Sequence, residues 1–482
     1  SLPSERAQSV MAEGGINAAL NTKDENDSPE EHFTDTIKAA CGLADPNAVW
    51  GMTQAAPELV HWLLKLGVKF NMSGYDDVDL RNFGGQKKKR TAFAQSDTGK
   101  QIMTAMIDAV RRKEASGMVE RFSHHSFLTL RLCGNICCGC VIRDEYSQET
   151  VELPGDAVIV ATGGMHGLFG NTTGSLSNTG EVTAELFRLG VPLANGEMIQ
   201  YHPTTVKCGG KRMLISEAAR GEGGRLFAMK DGKQWYFMEE KYPELGNLMP
   251  RDITAREIWK VSHESEVFLD MTEISEEIIS NKLSGLADDC MTYLHKDIRK
   301  EPVSVLPGIH YFMGGILVDE QHRTPIQNLY AAGECCAQYH GANRLGGNSL
   351  LGALYGGRVA AKSACEQADV VDLSCATQID FPPASQISEI KQLNKVMQET
   401  MGVVRNENTL LNGIQTVQAL TGNLPLLGMA VLKSALARKE SRGAHWREDY
   451  PKSNDDDYLK TTVARFDGKQ IQISFVPVPE RR

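Results

Sequence analysis

The sequence contains no apolar run of the roughly 18 residues that a membrane-spanning helix needs. It also contains no internal repeat, no low-complexity tract and no long block of one charge sign beyond Lys87–Arg90. Lysine and arginine together number 51 against 61 aspartates and glutamates, so the chain is acidic. These absences exclude an integral membrane protein and argue against non-specific nucleic-acid binding as the main role. The start at Ser1 has no cationic or apolar leader, so we expect no signal peptide there.

The eleven cysteines lack the spacing of a secreted disulfide framework. Four of them, Cys133, Cys137, Cys138 and Cys140, lie within eight residues, but no CxxC pair recurs as it would in a zinc site. The surrounding segment is typical of two strands around a turn at 144–147. We therefore expect a β-hairpin with small buried thiols, no metal site and no disulfides.

The chain does contain two strand ends of the kind that bind nucleotide cofactors. Its 482 residues are enough for about three domains. An apolar strand over 156–160 runs into Ala161-Thr162-Gly163-Gly164, and a second over 328–332 runs into Gly333-Glu334. Open α/β sheets place a cofactor at such ends. The long separation between the two strands predicts an inserted domain.

The remaining periodicity completes the predicted architecture. Helical patterns cover 33–68, 98–113 and the region after 387, while 118–155 is typical of short strands. We predict an α/β protein with a doubly wound cofactor-binding domain, interrupted by an α+β insert and followed by a helical C-terminal domain. The expected boundaries are 1–201 and 311–366 for the cofactor-binding domain, 202–310 for the insert and 367–482 for the helical domain with its tail.

Several basic side chains stand within two residues of a glycine or proline, namely His202, Arg251, His310 and Arg344. Arginine offers a two-pronged donor to a carboxylate and histidine a switchable proton, so this set suits a small dianion. The histidines do not have metal-site spacing. Glu217 and Arg220 would face each other on a helical turn, and the glycines after them favour a tight, enclosed path over a solvated ion pair.

Nine segments, taken in order, resemble the family of succinate dehydrogenase and fumarate reductase flavoprotein subunits. They are 14–20, 161–164, 201–204, 217–223, 251–252, 310–315, 333–334, 340–351 and 441–451. One glycine motif alone would be weak evidence, but nine in order over nearly the whole chain are specific. The resemblance implies an FAD-binding domain, a capping domain in place of the insert, and an enzyme that interconverts fumarate and succinate.

The resemblance also assigns roles to residues. It implies that the dicarboxylate is held by His202, Ser216, His310 and Arg344. It implies that Arg251 delivers the proton, with Glu217 and Arg220 replacing it. It implies that FAD is bound by Gly14, Gly15, Ala161, Thr162, Gly163, Glu334, Asn348, Ser349 and Leu350. Ser216 stands where the family usually has threonine, but the hydroxyl is kept.

Three residues are candidates for the acid that gives a proton to the substrate. A guanidinium has a pKa above about 12 and is a poor proton donor at pH 7, so elementary chemistry favours His202 or His310. The resemblance favours Arg251, and we expect Arg251 to be the donor with His310 as the alternative.

Two departures from the family pattern concern the flavin. Ala7-Gln8-Ser9 stands where the family has Ser-His-Thr, and Gln8 cannot form the covalent flavin bond of that histidine. We therefore expect non-covalent FAD with a lowered potential that favours fumarate reduction. The strand and GxGxxG turn that bind the FAD pyrophosphate would precede Ser1, so we expect the chain to continue upstream.

Two other functions remain open from the sequence. L-Aspartate oxidase shares much of the pattern, although Met313, 345–348 and 447–451 look more like the succinate and fumarate branch. A non-catalytic assembly subunit would not need an intact set of polar site residues, which here comprises His202, Glu217, Arg220, Arg251, His310 and Arg344.

The resemblance implies an iron–sulfur subunit and membrane anchor subunits as partners and no nucleic acid. A separate iron–sulfur subunit is needed because no thiol spacing in this chain suits an iron–sulfur cluster. The resemblance places the protein at the cytoplasmic face of a membrane, or on the matrix side in a mitochondrion.

Overall fold

The computed structural model describes residues 4–74, 77–368, 370, 379, 381 and 386–482. The helices are α1 Pro29–Ala39, α2 Pro46–Leu66, α3 Thr98–Ala115, α4 Glu181–Arg188, α5 Glu217–Gly221, α6 Phe237–Lys241, α7 Arg251–Val261, α8 Glu276–Lys282, α9 Ser284–Asp289, α10 Asn348–Gln367, α11 Ile387–Thr400, α12 Glu407–Val417, α13 Asn423–Ala437 and α14 Asp455–Tyr458.

The strands are β1 Ile16–Asn17, β2 Leu80–Arg81, β3 Thr91–Ala92, β4 His125–Cys133, β5 Ile136–Asp144, β6 Thr150–Pro154, β7 Val158–Val160, β8 Leu193–Ala194, β9 Ile199–Cys208, β10 Lys211–Leu214, β11 Arg225–Lys230, β12 Lys233–Trp235, β13 Val267–Asp270, β14 Val303–Ser304, β15 Leu306–Phe312, β16 Gly315–Leu317, β17 Leu329–Ala331, β18 Cys336–Ala337, β19 Lys460–Phe466 and β20 Ile471–Pro477. The helical patterns over 33–68 and 98–113 are confirmed as α1, α2 and α3.

The two strands that we predicted to end at a cofactor are neighbours in space. β7 and β17 pair in parallel, with Val158 opposite Leu329 and Val160 opposite Ala331. Because parallel strands end at the same edge, the turns that follow them lie side by side. This pairing joins segments on either side of the insert into one unit.

The cysteine-rich segment forms the antiparallel sheet β4-β5-β6, which confirms the predicted hairpin. Cys137 and Cys138 are buried in it as free thiols. Cys133 is disulfide-bonded, so the prediction that disulfides are absent is wrong at this position. Scattered cysteines have no pairing signal in the sequence, because a disulfide depends on which residues the fold brings together.

The insert has its own sheet and core. Strands β12-β11-β13-β14 form one sheet, and α6 to α9 pack with it around a cluster that includes Leu226, Ile258 and Leu269. The insert is connected through β9 and β15, which pair antiparallel with Tyr201 opposite Ile309. The expected boundaries at 202 and 310 fall within these two strands, and we retain the four domain ranges as a proposal.

The C-terminal region contains the predicted helices and one feature that the sequence analysis missed. Helices α11 to α13 pack around Leu393, Leu410 and Val431. The hairpin β19–β20 then extends the sheet β18-β16-β8-β19-β20. Among the described residues, no helix has both the length and the apolar character needed to cross a bilayer.

Candidate active site

The pair Glu217 and Arg220 lies on one short helical turn, as predicted. Ser216 precedes α5, and its Oγ accepts a hydrogen bond from the backbone N–H of Ala218 at 3.4 Å. This turn lets Arg220 Nη2 donate to Glu217 Oε1 at 3.2 Å. Both side chains are only 2% exposed, so the pair is enclosed.

Arg251 is brought to the same carboxylate from helix α7. Its Nε and Nη2 both donate to Glu217 Oε2, at 2.8 and 2.5 Å. Arg220 Nη1 donates in turn to the backbone carbonyl of Asn247 at 2.6 Å. Burial raises the pKa of Glu217, but the charges of Arg251 and Arg220 outweigh it and leave that pKa below 4.5. The result is a buried chain in which one ionised carboxylate joins two guanidinium groups.

The two predicted substrate histidines face each other. The rings of His202 and His310 are 5.2 Å apart at their centroids and inclined by 68°. His310 Nδ1 hydrogen-bonds with the hydroxyl of Thr173 at 2.8 Å. His202 Nδ1 lies near the backbone and hydroxyl of Thr204, and its Nε2 has no hydrogen-bond partner among the described residues. Burial first, and the charge of Arg251 second, hold the pKa of both rings well below 6.5, so both are neutral near pH 7.

Arg344 is the second cation of the group. It is 3% exposed, and its guanidinium lies 4.5 Å from the ring centroid of Tyr311. Its Nε has no partner in the part of the chain that the structure describes, and Nη1 has only a 3.5 Å bond to the carbonyl of Leu345. Burial, together with the charge of Arg251, lowers the pKa of Arg344 to about 9. This guanidinium therefore has donor capacity left for an anion.

Two polar residues near the site were missed by the sequence analysis. Gln200 lies on β9 and is fully buried; its Oε1 accepts from Arg251 Nη1 at 3.1 Å. Glu13 precedes the glycines Gly14 and Gly15, and Ser216 is one of the groups that act on its carboxyl. Burial, reinforced by Asp289, raises the pKa of Glu13 to about 8. An acidic residue among the small residues 12–15 was the only signal for Glu13, and Gln200 had none.

The glycine pair is held by close packing. A Cβ on Gly14 would come within 2.8 Å of the Phe83 ring. Gly15 has φ +137°, and a Cβ there would lie 2.5 Å from the carbonyl oxygen of Ala92. A larger residue at either position would displace the turn that carries Glu13.

The other residues expected to bind the cofactor lie at the β7 and β17 ends and at the start of α10. Ala161 and Thr162 are exposed after β7, and Gly163 has φ +71°. Glu334 follows β17 and accepts from the backbone N–H of Phe312 at 3.0 Å, and burial raises its pKa to about 7. Glu334 also acts electrostatically on Arg344, so the strand ends adjoin one of the residues predicted to hold the dicarboxylate.

Helix α10 begins at Asn348 and has no side-chain cap from any described residue. Its first backbone N–H groups, including those of Ser349 and Leu350, therefore suit an anionic or carbonyl oxygen. The Asn348 side chain itself is engaged with Asn17 and Thr36. Strand ends, an exposed turn and an uncapped helix start are the features that a dinucleotide needs, so these residues fit FAD. Gln8 lies in a half-buried 3₁₀ turn at Gln8–Met11.

The chain matches known proteins over its whole length. A family model described as FAD binding domain matches residues 2–350, and one described as fumarate reductase flavoprotein C-term matches residues 420–481. The succinate dehydrogenase flavoprotein subunit of Bacillus subtilis is 37% identical, over 100% of this chain and 93% of that protein. An L-aspartate oxidase from Nostoc is 32% identical, over 95% and 87%.

A solved structure confirms the predicted fold class. The FrdA chain of an E. coli quinol fumarate reductase, solved as a point variant, superimposes with a TM-score of 0.89 and 27% identity, over 98% of this chain and 90% of that one.

Proposed function

The chain belongs to the family of succinate dehydrogenase and fumarate reductase flavoprotein subunits, which are FAD-dependent oxidoreductases, and from this premise we propose that it interconverts fumarate and succinate. The observation that supports this most is the buried chain Arg220–Glu217–Arg251, which ends beside Arg344 and two neutral histidines. Reduction of fumarate needs a hydride at one olefinic carbon and a proton at the other. Bound FAD would supply the hydride from its N5 when it is in the reduced form.

The dicarboxylate is held mainly by charge. Arg344 has unused N–H donors, and His202 Nε2 is a buried ring nitrogen without a partner among the described residues. The hydroxyl of Ser216 and the ring of His310 complete the set that the family resemblance implies. Carboxylates held by these donors draw electron density away from the olefinic carbon that receives the hydride.

Arg251 is the proton donor in this proposal, and the state of the histidines supports it over His310. Both rings have pKa values well below 6.5, so neither is a ready acid near pH 7. Arg251 is buried and donates to the Glu217 carboxylate at 2.5 Å, and its proton can be replaced through that carboxylate. Glu217 passes a proton from Arg220 to Arg251, so the deprotonated guanidinium exists only briefly.

FAD is bound without a covalent link in this proposal, since Gln8 occupies the position of the family's flavin histidine. A lower flavin potential then favours fumarate reduction over succinate oxidation. Gly14, Gly15, the Ala161–Gly163 turn, Glu334 and the start of α10 hold the cofactor. The tight packing of the glycine pair and the uncapped helix start support this assignment.

The protein works as one subunit of a larger complex in this proposal. An iron–sulfur subunit exchanges electrons with the flavin, and anchor subunits hold the complex at a membrane, on its cytoplasmic face or on the matrix side in a mitochondrion. The names of relatives support this: one is a flavoprotein subunit of an 8-methylmenaquinol:fumarate reductase, and one solved structure is a quinol–fumarate reductase with menaquinol molecules.

The test is oxidation of a reduced viologen dye by the purified full-length protein with fumarate under anaerobic conditions. Succinate-driven dye reduction and aspartate with oxygen are measured beside it. Fast fumarate turnover with weak succinate oxidation supports a reductase. Activity with aspartate alone would move the protein to the oxidase branch, and inactivity in all three assays with FAD bound would favour the assembly subunit.

A further inference from the structure

We propose that Gln200 is a positioning residue that fixes the direction of the Arg251 guanidinium relative to Arg344. The kinetic effects expected below rest on the proposed function. The expected orientation of the Arg251 guanidinium rests only on the hydrogen bonds described next.

A ring of three hydrogen bonds connects helix α7 to the loop that carries Arg344. Arg251 Nη1 donates to Gln200 Oε1 at 3.1 Å, and Gln200 Nε2 donates to Asn343 Oδ1 at 2.9 Å. Asn343 Nδ2 then donates to Asp252 Oδ1 at 2.9 Å, and Asp252 follows Arg251 directly in the chain. Gln200 Nε2 also donates to the backbone carbonyl of Arg344 at 2.9 Å. The same amide therefore contacts the proton donor and the residue that holds the substrate.

Two electrostatic forces act to turn the Arg251 guanidinium away from the residues proposed to hold the dicarboxylate. Glu217 attracts it on one side through Nε and Nη2, and Arg344 repels it on the other because both are buried cations. The Gln200 carbonyl is an acceptor on Nη1, the remaining terminal nitrogen. It therefore opposes the rotation toward Glu217.

The chemistry of the amide explains why a glutamine suits this place. A carboxylate here would bind Arg251 more strongly, but it would add a negative charge that makes the guanidinium a weaker acid. It would also have no hydrogen to donate to the carbonyls of Asn343 and Arg344, and buried acceptors without donors are costly. A neutral amide supplies one acceptor and two donors without changing the net charge of the site.

The test compares Gln200→Glu and Gln200→Leu with a control, Gln338→Glu. Gln338 is also buried, and among the described residues its amide donates only to the backbone carbonyl of Asp319. For Gln200→Glu we expect kcat for fumarate to fall at least about 10-fold at pH 8 while KM changes less than about 3-fold. The loss should persist as pH falls toward about 5.5, because the charge of Arg251 keeps a carboxyl beside it ionised, as it does for Glu217.

For Gln200→Leu we expect the same loss of kcat at every pH, since leucine can neither accept nor donate. The control should keep the wild-type kcat per bound flavin across the range. A wild-type kcat in Gln200→Leu, or losses confined to thermal stability, would overturn the positioning role.

A crystal structure of the flavin-loaded Gln200→Leu protein separates this inference from the proposed function. We expect the Arg251 guanidinium to rotate toward Glu217 and away from Arg344. An unmoved guanidinium would overturn the inference even if fumarate is the substrate. If the wild-type protein does not reduce fumarate, the proposed function fails, and the guanidinium position still decides for or against the role of Gln200.

Discussion

Arg251 and Glu217 are joined through a single carboxylate oxygen, because Nε and Nη2 of the arginine both donate to Glu217 Oε2 at 2.8 and 2.5 Å. This leaves Glu217 Oε1 for Arg220. The three side chains form one linear, buried unit that carries a net positive charge. Such a unit is costly to interrupt, since removing one partner leaves another buried charge without compensation.

Arg251→Lys should therefore abolish most of the activity. A lysine ammonium is a point charge and cannot reproduce the separate contacts of Nε, Nη1 and Nη2 with Glu217 and Gln200. We expect kcat for fumarate to fall at least about 100-fold with a smaller change in KM. Arg256→Lys, on the same helix but stacked on Trp446, is the matched control. Near-normal turnover by Arg251→Lys would show that another group is the acid.

Glu217→Gln should interrupt proton replacement and destabilise the fold. The amide cannot relay a proton, and Arg220 and Arg251 lose their shared counter-charge. We expect a kcat loss of about 100-fold and a loss of roughly 3 kcal/mol in the free energy of unfolding, measured in urea. Glu239→Gln, which breaks a partly exposed pair with Arg225, should cost under about 1 kcal/mol and leave kcat unchanged. Wild-type turnover in Glu217→Gln would remove Glu217 from the relay.

The sequence predicted those parts of the molecule whose signals are local. The strand ends at Gly163 and Glu334, the hairpin around 144–147, and the turn that pairs Glu217 with Arg220 all depend on neighbours within a few residues. Gln200 and Glu13 could not be found this way. Their partners lie far along the chain, so only the fold reveals that they are polar groups of the site.

The C-terminal hairpin was missed although its signals are local. β19 and β20 pair from Lys460 opposite Pro477 to Phe466 opposite Ile471, around the turn that contains Asp467 and Gly468. An Asp-Gly turn between two such runs is a hairpin signal, so the sequence contains the information for this hairpin. Its attachment to β8 could not be predicted, because β8 is a strand of only two residues at Leu193–Ala194.

Arg344→Lys should weaken substrate binding more than it destabilises the fold. In the part of the chain that the structure describes, Arg344 has one long hydrogen bond to the Leu345 carbonyl and a ring contact with Tyr311, so few protein interactions depend on its guanidinium. A carboxylate held by a planar, two-pronged donor loses both geometry and one hydrogen bond when lysine replaces it. We expect KM for fumarate to rise about 10-fold or more. The inhibition constant of malonate, a dicarboxylate that is not reduced, should rise in parallel, and unchanged values of both would contradict the assignment.

Glu13→Gln should change how stability depends on pH. The folded protein holds the Glu13 proton up to a pKa of about 8, whereas the unfolded chain releases it near 4.5. The folded state therefore binds more protons between these values, and this group's contribution to stability is lost as pH rises from 4.5 to 8. Glutamine cannot ionise. Over this pH range the free energy of unfolding of the variant should therefore fall by on the order of 1–3 kcal/mol less than that of wild type. Urea unfolding at about pH 5 and pH 8 measures the difference; Glu58→Gln, at an exposed pair with Arg358, should keep the wild-type slope.

The flavin should be released when the protein is denatured with acid. The glutamine at position 8 has an amide nitrogen whose lone pair is delocalised into its carbonyl, so it lacks the nucleophilic ring nitrogen of a histidine. After precipitation with trichloroacetic acid we expect all of the FAD in the supernatant, where chromatography identifies it as intact FAD, and no flavin fluorescence on a denaturing gel. Flavin that stays with the pellet would show a covalent bond through a residue other than Gln8. It would also remove the physical reason for expecting a potential that favours fumarate reduction.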